Sequence, residues 1–193
     1  MKQIILASGS SRRKEILDKL NIPFIVDPSN FEEDMSQDMG PEELAKSLSS
    51  GKAKEVSVRH KNSIVIGADT FIYFEGKKLG KPKGPRQAEE MLSSMSGKMH
   101  SVFTGLTLID TDTNEVYSEA VETKVYFRNL DPDEIRAYVA SEEPLDKAGA
   151  YALQGIGSIL VEKIEGDFFN VMGLPLTALY LALRNIGISP FSK

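Results

Sequence analysis

The apolar run Ile64-Val65-Ile66 constrains the fold of this 193-residue chain more than any other stretch. Uninterrupted β-branched runs of this kind are typical of a strand that is buried on both faces of a sheet. We therefore expect a buried strand over residues 63–68, which ends in the small residues Gly67 and Ala68 and is followed by one carboxylate, Asp69. In open α/β folds ligands collect beyond the carboxyl ends of such strands, so Asp69 is a candidate metal ligand or general base. An aspartate that only caps a turn is the simpler alternative for this residue taken alone.

Composition limits the classes of protein to which the chain can belong. A hydrophobic content of 41% and a charged content of 26% are ordinary for a soluble globular protein. The absence of cysteine excludes disulfides and thiolate metal sites, and the two histidines, His60 and His100, are expected to be surface or packing residues. A net charge of −5 argues against broad nucleic-acid binding. Without an apolar membrane span or an export signal, we expect a cytoplasmic protein with no membrane or nucleic-acid partner.

The order of the predicted elements indicates an α/β fold, with a mixed sheet flanked by helices in a single domain over residues 1–193. The predicted strands cover residues 3–7, 24–26, 63–68, 71–74, 77–79, 99–109, 115–127, 158–164 and 168–172. Hairpins are expected between the strands 71–74 and 77–79, between 99–109 and 115–127, and between the last two strands. The predicted helices begin after Ser11, at Pro41, at Pro85, at Pro132 and at Pro175.

Cationic residues stand where an anion could bind. Ser8-Gly9-Ser10-Ser11 joins the first predicted strand to a helix N-terminus, where backbone N–H groups and the positive end of the helix dipole attract phosphate. Arg12 and Arg13 follow in the first turn, where the dipole favours acidic residues instead. An anion bound between them and the helix end would explain them, and so would simple solvation. The spacing of a Walker P-loop is absent.

Three other polar residues occur in unusual local sequences. Lys81 stands between Gly80 and Pro82, and Lys52 follows a glycine inside a predicted helix that would let another backbone approach closely. Taken singly, each lysine is more simply explained as a solvated side chain. Gln154 lies in a long loop, and its amide could donate to and accept from a base edge.

Together these stretches resemble the Maf family of nucleoside triphosphate pyrophosphatases over nearly the whole chain. The matching motifs are Leu6-Ala7-Ser8-Gly9-Ser10-Ser11-Arg12-Arg13, Phe31-Glu32-Glu33, Gly51-Lys52-Ala53, Ile66-Gly67-Ala68-Asp69-Thr70, Gly80-Lys81-Pro82, Asp146-Lys147-Ala148-Gly149-Ala150-Tyr151, Gln154-Gly155 and Gly173-Leu174-Pro175. Ser11 departs from the pattern, because the family often has proline there.

The resemblance implies a fold like that of ITP pyrophosphatase, with an elongated mixed sheet and two lobes around a central cleft. It also implies hydrolysis of a nucleoside triphosphate to the monophosphate and pyrophosphate, with Asp69 as the catalytic residue. Arg12, Thr70 and Gln154 match the substrate-specificity positions of the branch that acts on dTTP, UTP and modified pyrimidine nucleotides. A related branch, which acts on a methylated guanine triphosphate, tends to carry an apolar aromatic residue, Gln and Glu there.

A triphosphate needs cations and, by the same resemblance, a metal. The phosphate-binding candidates are Ser8, Arg12, Arg13, Lys52 and Lys81. A hard divalent cation, Mg²⁺ or Mn²⁺, is expected, because thiols are absent and imidazoles are few. Glu33 and Asp69 are its expected ligands, with Glu32 as a weaker choice. Asp69 is alternatively the general base for the attacking water.

The leading hypothesis is therefore a metal-dependent pyrophosphatase that removes certain pyrimidine or damaged nucleotides before polymerases use them. A homodimer is expected from the frequency of dimers among soluble enzymes. The alternative is a nucleotide-sensing regulator of cell division that acts through a partner with little turnover. A nucleic-acid-binding protein is disfavoured by the acidic charge and the lack of a basic stripe interleaved with aromatic residues.

Overall fold

The protein is described by a computed structural model that covers residues 2–35 and 37–191, and helices and strands alternate along it. The strands are β1 (Gln3–Leu6), β2 (Phe24–Val26), β3 (Ser63–Phe74), β4 (Lys77–Leu79), β5 (Met99–Asp110), β6 (Val116–Phe127) and β7 (Val161–Glu165). The α-helices are α1 (Ser11–Asp18), α2 (Pro41–Ser57), α3 (Pro85–Met95), α4 (Pro132–Ala140), α5 (Phe168–Val171) and α6 (Leu176–Asn185). Short 3₁₀ segments cover Glu143–Asp146, Ala148–Ala150 and Ile156–Leu160. Within the described ranges, no helix is long and apolar enough to cross a membrane.

The strands form one mixed sheet, which confirms the predicted α/β class. Their order is β2-β1-β3-β5-β6-β7, and β4 pairs with β3. β1 is parallel to both β2 and β3, so that Ile5 lies opposite Ile25 on one side and Val65 on the other. The pairs β3–β4 and β6–β7 are antiparallel.

The chain folds into two compact units, each with its own apolar core. Unit 1 contains the described parts of residues 1–69, 104–121 and 173–193, and unit 2 contains residues 70–103 and 122–172. The core of unit 1 includes Ile5, Ala7, Ala53, Val56, Val65 and Ile109. The core of unit 2 includes Leu92, Met95, Val125, Phe127, Tyr138 and Leu160.

The predicted hairpin between residues 158–164 and 168–172 is wrong. β7 pairs with β6 instead, with Ile164 opposite Val125. Residues 168–171 form α5, because the side chain of Asp167 caps the helix by accepting hydrogen bonds from the backbone N–H groups of Phe169 and Asn170. A stretch of five residues, four of them apolar, is too short for its periodicity to separate a strand from a helix.

The strand that carries Asp69 is longer than predicted. β3 runs without a break through Asp69 and Thr70 to Phe74, so the predicted strands 63–68 and 71–74 are one strand. Its second half pairs with β4 in antiparallel fashion, which confirms the predicted hairpin. Residues 63–69 are all buried, as expected for a strand covered on both faces. Asp69 therefore lies inside a strand, and neither a strand exit nor a turn cap describes it.

Two glycines let α2 pack closely on the sheet in unit 1. A Cβ atom at Gly67 on β3 would collide with the carbonyl oxygen of Ser49, and one at Gly105 on β5 would collide with the carbonyl oxygen of Ala45. Glycine inside a strand often marks such a close approach of another backbone. The approach brings the middle of α2 directly over β3.

Candidate active site

Asp69, Lys52 and Glu33 meet in unit 1. The Nζ atom of Lys52, on α2, lies 2.5 Å from Oδ1 of Asp69 on β3 and 2.5 Å from Oε1 of Glu33 in the loop before α2. The side chains of Asp69 and Lys52 are 5% and 12% exposed, whereas that of Glu33 is 46% exposed. One ammonium group therefore bridges a buried carboxylate and a half-exposed one.

The pKa values of the two carboxylates, Asp69 and Glu33, are shifted in opposite directions from their ordinary values. Burial raises the pKa of Asp69 above its ordinary value, although the charges of Lys52 and Arg13 act against this. Burial acts on Glu33 in the same sense, but the hydrogen bond from Lys52 and the nearby positive charges outweigh it and lower the pKa of Glu33. Paired carboxylates whose environments separate their pKa values are typical of catalytic sites.

Arg13 belongs to the same charged cluster. Its Nε atom donates to the carbonyl oxygen of Gly173 at 2.7 Å, and its Nη1 atom donates to Oγ of Ser8 at 3.0 Å. Burial lowers the pKa of Arg13, and the charges of Asp69 and Glu33 raise it. An arginine stays protonated under these conditions, so the cluster holds two cations against two carboxylates.

The turn between β1 and α1 is built as the sequence predicted. Oγ of Ser10 caps α1 by accepting from the backbone N–H of Arg13 at 3.5 Å, and Oγ of Ser8 accepts from the backbone N–H of Ser10 at 3.3 Å. Ser8 is buried, and Arg12 is half-buried in the first turn. The first backbone N–H groups of a helix have no intrahelical partner, which suits this end for an anion.

Gly51 positions Glu33 in a way that the sequence interpretation missed. A Cβ atom at this position would collide with the ring of Phe31, so an aromatic side chain, and not another backbone, packs against the glycine. The contact places Phe31-Glu32-Glu33 beside the turn of α2 that carries Lys52. Glu32 is exposed.

The remaining candidates lie in unit 2. The backbone N–H of Gly149 donates to the carbonyl oxygen of Gly80 at 2.9 Å, which brings two of the family motifs together. Lys81 is exposed and is followed by the buried Pro82. Two further candidates are half-buried, namely Thr70 and Gln154.

Comparison with known proteins identifies the family. The model of the family described as Maf-like protein matches residues 3–186. This chain belongs to the Maf family. It is 47% identical over 194 residues to the dTTP/UTP pyrophosphatase of Methanosarcina mazei, which covers 100% of this chain and 98% of the relative. It is 48% identical to the dTTP/UTP pyrophosphatase of Methanococcoides burtonii, over 99% and 98% of the two chains, and 42% identical to that of Moorella thermoacetica, over 100% of both.

This Maf protein also contains a buried polar pair in unit 2 that its sequence did not indicate. Nε2 of His100 lies 2.8 Å from the hydroxyl of Tyr151, and both rings pack edge-on against Phe127. Burial lowers the pKa of His100 to about 4, so the imidazole is neutral near pH 7. The pair anchors the start of the loop that leads to Gln154.

The cluster in unit 1 suits a metal that takes few protein ligands. Within residues 2–35 and 37–191, no three His, Cys, Asp or Glu side chains come together as a metal site. Mg²⁺ is commonly held by one or two carboxylates together with waters and substrate phosphates. The hard oxygens of Glu33 and Asp69 fit that description, and Lys52 lies between them.

Proposed function

We propose that this Maf family member hydrolyses dTTP and UTP, and modified pyrimidine nucleotides, to the monophosphate and pyrophosphate. The observation that carries the proposal is the bridge from Lys52 to the buried Asp69 and to Glu33. These residues lie in three of the motifs that define the resemblance. Relatives with this activity in their names are 42–48% identical to the chain over 96–100% of its length.

Asp69 is the residue to which we assign proton transfer. It is fixed inside β3 and almost completely buried, so its carboxylate has a defined direction. In the proposed step Asp69 accepts a proton from water while the water oxygen forms a bond to the α-phosphorus. The bond from that phosphorus to the bridging oxygen breaks, and pyrophosphate leaves with the electron pair. The other residues position the phosphates and neutralise their charge, which is most of what phosphoryl transfer requires.

The cations of unit 1 provide part of that neutralisation. The ammonium group of Lys52 contacts Asp69 and could therefore also contact a phosphate that is bound beside Asp69. Arg13 donates a hydrogen bond to Ser8, just before the start of α1. Ser8 and Arg12 offer a hydroxyl and a guanidinium beside the backbone N–H groups of the helix end. In unit 2 we propose Lys81 as a phosphate contact, because it lies in the family motif Gly80-Lys81-Pro82.

A divalent cation completes the proposal. Glu33, the more accessible carboxylate, would hold Mg²⁺ or Mn²⁺, and Asp69 would be its second ligand in the alternative in which it is not the base. When bound, the metal would neutralise charge on the phosphate oxygens.

Base selection is assigned to Arg12, Thr70 and Gln154. An amide can donate to a carbonyl and accept from an N–H group, which matches the O4 and N3–H edge of uracil and thymine. Gln154→Glu replaces the amide donor with a second acceptor oxygen and should reduce kcat/KM for UTP.

The product and the position of attack test the function. dTTP, UTP, dCTP and ATP are each incubated with the protein and Mg²⁺ in ¹⁸O-labelled water, with a metal-chelated sample as control. We expect pyrophosphate from dTTP and UTP and one ¹⁸O atom in the monophosphate, because water attacks the α-phosphorus. Orthophosphate, or label in the pyrophosphate, would refute the assignment. Tight binding of dTTP without turnover over hours would support the nucleotide-sensing alternative instead.

The cytoplasmic location and the homodimer stay predictions from the sequence. Size-exclusion chromatography with light scattering measures the oligomeric state directly.

A further inference from the structure

Residues 27–33, which we call the Glu33 arm, run antiparallel to the C-terminal half of α2. The first contact lies just beyond the end of that helix. Nε and Nη2 of Arg59 donate to the two carboxylate oxygens of Asp27 at 3.1 and 3.2 Å. Nε2 of His60 lies 2.8 Å from Oδ2 of the same aspartate. The start of the arm is therefore held by a two-pronged ion pair and a third polar contact.

Glu55 makes the second contact, one helical turn back along α2. Its Oε2 atom accepts from Oγ of Ser29 at 2.9 Å and from the backbone N–H of Asn30 at 3.1 Å. Its other oxygen accepts from Nη1 of Arg59. Glu55 thus binds the middle of the arm and also Arg59, the residue that holds the start of the arm.

The third contact lies one further turn back, where the ring of Phe31 packs on Gly51. Next to it, Glu33 accepts from Lys52. The sequence spacings agree with this ladder of contacts. Along α2 the contacts recur every four residues, which keeps them on one helix face. Along the arm they recur every second residue, at Asp27, Ser29 and Phe31.

Two further hydrogen bonds hold the start of the arm: the backbone N–H of Asp27 donates to the carbonyl oxygen of Leu6 at 3.0 Å, and Nη2 of Arg59 donates to the carbonyl oxygen of Pro28 at 3.3 Å. None of residues 27–33 is buried, so apolar burial contributes little to its conformation. Its position is set by the polar contacts and by the single aromatic contact with Gly51. An arm fixed in this way delivers one functional side chain, Glu33, to Lys52 and Asp69.

We propose that Glu55 is a positioning residue for the hydrolysis, which acts by holding the Glu33 arm on α2. The proposal rests on the proposed function, because it takes Glu33 to be a working residue of that site. Glu55 is half-buried in the C-terminal half of α2 and acts only through the arm. A displacement of about 1 Å at a catalytic group can cost up to a hundredfold in rate.

The kinetic test compares Glu55→Ala with Glu55→Gln, and with Glu43→Ala as the matched control. Glu43 is an exposed glutamate at the other end of the same helix. We expect Glu55→Ala to lower kcat for dTTP about tenfold and to raise the Mg²⁺ concentration needed for half-maximal rate. Glu55→Gln keeps an acceptor oxygen for Ser29 and Asn30 and should recover most of the rate. In a Glu33→Gln background, Glu55→Ala should have no further effect on kcat, because coupled residues are not additive.

Hydrogen exchange tests the ladder without any substrate. The backbone amide of Asn30 should exchange at least about tenfold faster in Glu55→Ala than in wild type or Glu43→Ala. Unchanged exchange, or additive losses of rate with Glu33→Gln, would overturn the proposal. A wild-type protein that released no pyrophosphate from dTTP would refute the proposed function and with it the positioning role, whereas unchanged exchange would refute the ladder alone.

Discussion

The two units bury titratable side chains in different charge states. Unit 1 buries a charged group, in which Lys52 bridges Asp69 to Glu33. Unit 2 buries a neutral pair, His100 and Tyr151, in contact with an aromatic ring. Buried ion pairs often stabilise a fold less than apolar residues of similar volume would, because both charges lose their hydration. A neutral pair avoids most of that cost. The difference suggests that the charges of unit 1 serve chemistry and that the polar pair of unit 2 serves packing.

The neutral pair is nonetheless incompletely satisfied. Nδ1 of His100 is buried and has no hydrogen-bond partner among the described residues. The other ring nitrogen of His100, Nε2, contacts the hydroxyl of Tyr151, and burial raises the pKa of that hydroxyl. Both groups therefore stay neutral across the range in which the enzyme is expected to work.

Removing the ammonium group of Lys52 should have the largest effect on stability. Lys52→Met leaves the buried Asp69 without its partner, so we expect the free energy of unfolding to fall by about 3 kcal/mol. Pyrophosphate release should fall by roughly a hundredfold or more. Urea unfolding and a pyrophosphate assay measure the two effects. The double variant with Asp69→Asn should regain stability and stay inactive; a single variant as stable as wild type would show that the bridge is unimportant.

Acid should weaken unit 2 through His100. Its folded pKa is about 4 against an ordinary value of 6.5, so as pH falls between these values the unfolded chain takes up the proton first. Stability is therefore lost as pH falls through this window, by up to about 3 kcal/mol. His100→Phe should flatten the dependence between pH 6.5 and pH 4 relative to wild type in urea unfolding. Parallel curves for the two proteins would contradict the neutral burial of His100.

Overpacking between α2 and β3 should lower both the stability of unit 1 and the rate of hydrolysis. Gly67→Ala places a methyl group against the carbonyl oxygen of Ser49, which should cost about 1–3 kcal/mol and move Lys52 away from Asp69. Gly40→Ala is the control, since a Cβ atom there meets nothing within 4 Å. Thermal unfolding and the initial rate with dTTP measure the effects. Full activity in Gly67→Ala would mean that the close approach does not set the site.

The smallest effect is expected at the start of α4, in unit 2. Asp131 accepts from the backbone N–H of Asp133 at 2.7 Å, and Glu134 accepts from the backbone N–H of Asp131 at 3.1 Å, which completes a capping box. Asp131→Ala should cost about 1 kcal/mol. We expect pyrophosphate release to stay within about twofold of wild type, because rates change little when a surface cap is lost. A large loss of rate would connect this helix to the chemistry.

Local signals predicted much of the fold. The starts of α2 and α4 follow from proline and acidic residues in the first turn, and the burial of β3 follows from its apolar run. The pairing of residues 71–74 with β4 was predicted, but the continuity of β3 through Asp69 and Thr70 was missed, and so was the helix α5, which depends on the cap by Asp167. Neither is visible in hydrophobic periodicity.

The residues of the candidate site were proposed one by one from the sequence, but their arrangement was not predicted. Family motifs marked Asp69, Glu33 and Lys52 separately, with Lys52 as a phosphate contact. The structure shows Lys52 bonded to both carboxylates, which depends on distances between residues far apart in sequence. The docking of Phe31 on Gly51 was likewise beyond local signals, although the glycine inside a predicted helix pointed to the place.

The most direct test of the account is to measure Asp69→Asn for activity and stability together. The ionised carboxylate is unfavourable where it is buried, so the amide should leave the urea midpoint equal to or above that of wild type. Loss of the proposed base should reduce pyrophosphate release from dTTP by roughly a thousandfold. A stable, inactive Asp69→Asn protein is the predicted result. An active variant, or one that is inactive only because it unfolds, would contradict the claim that Asp69 is buried for catalysis.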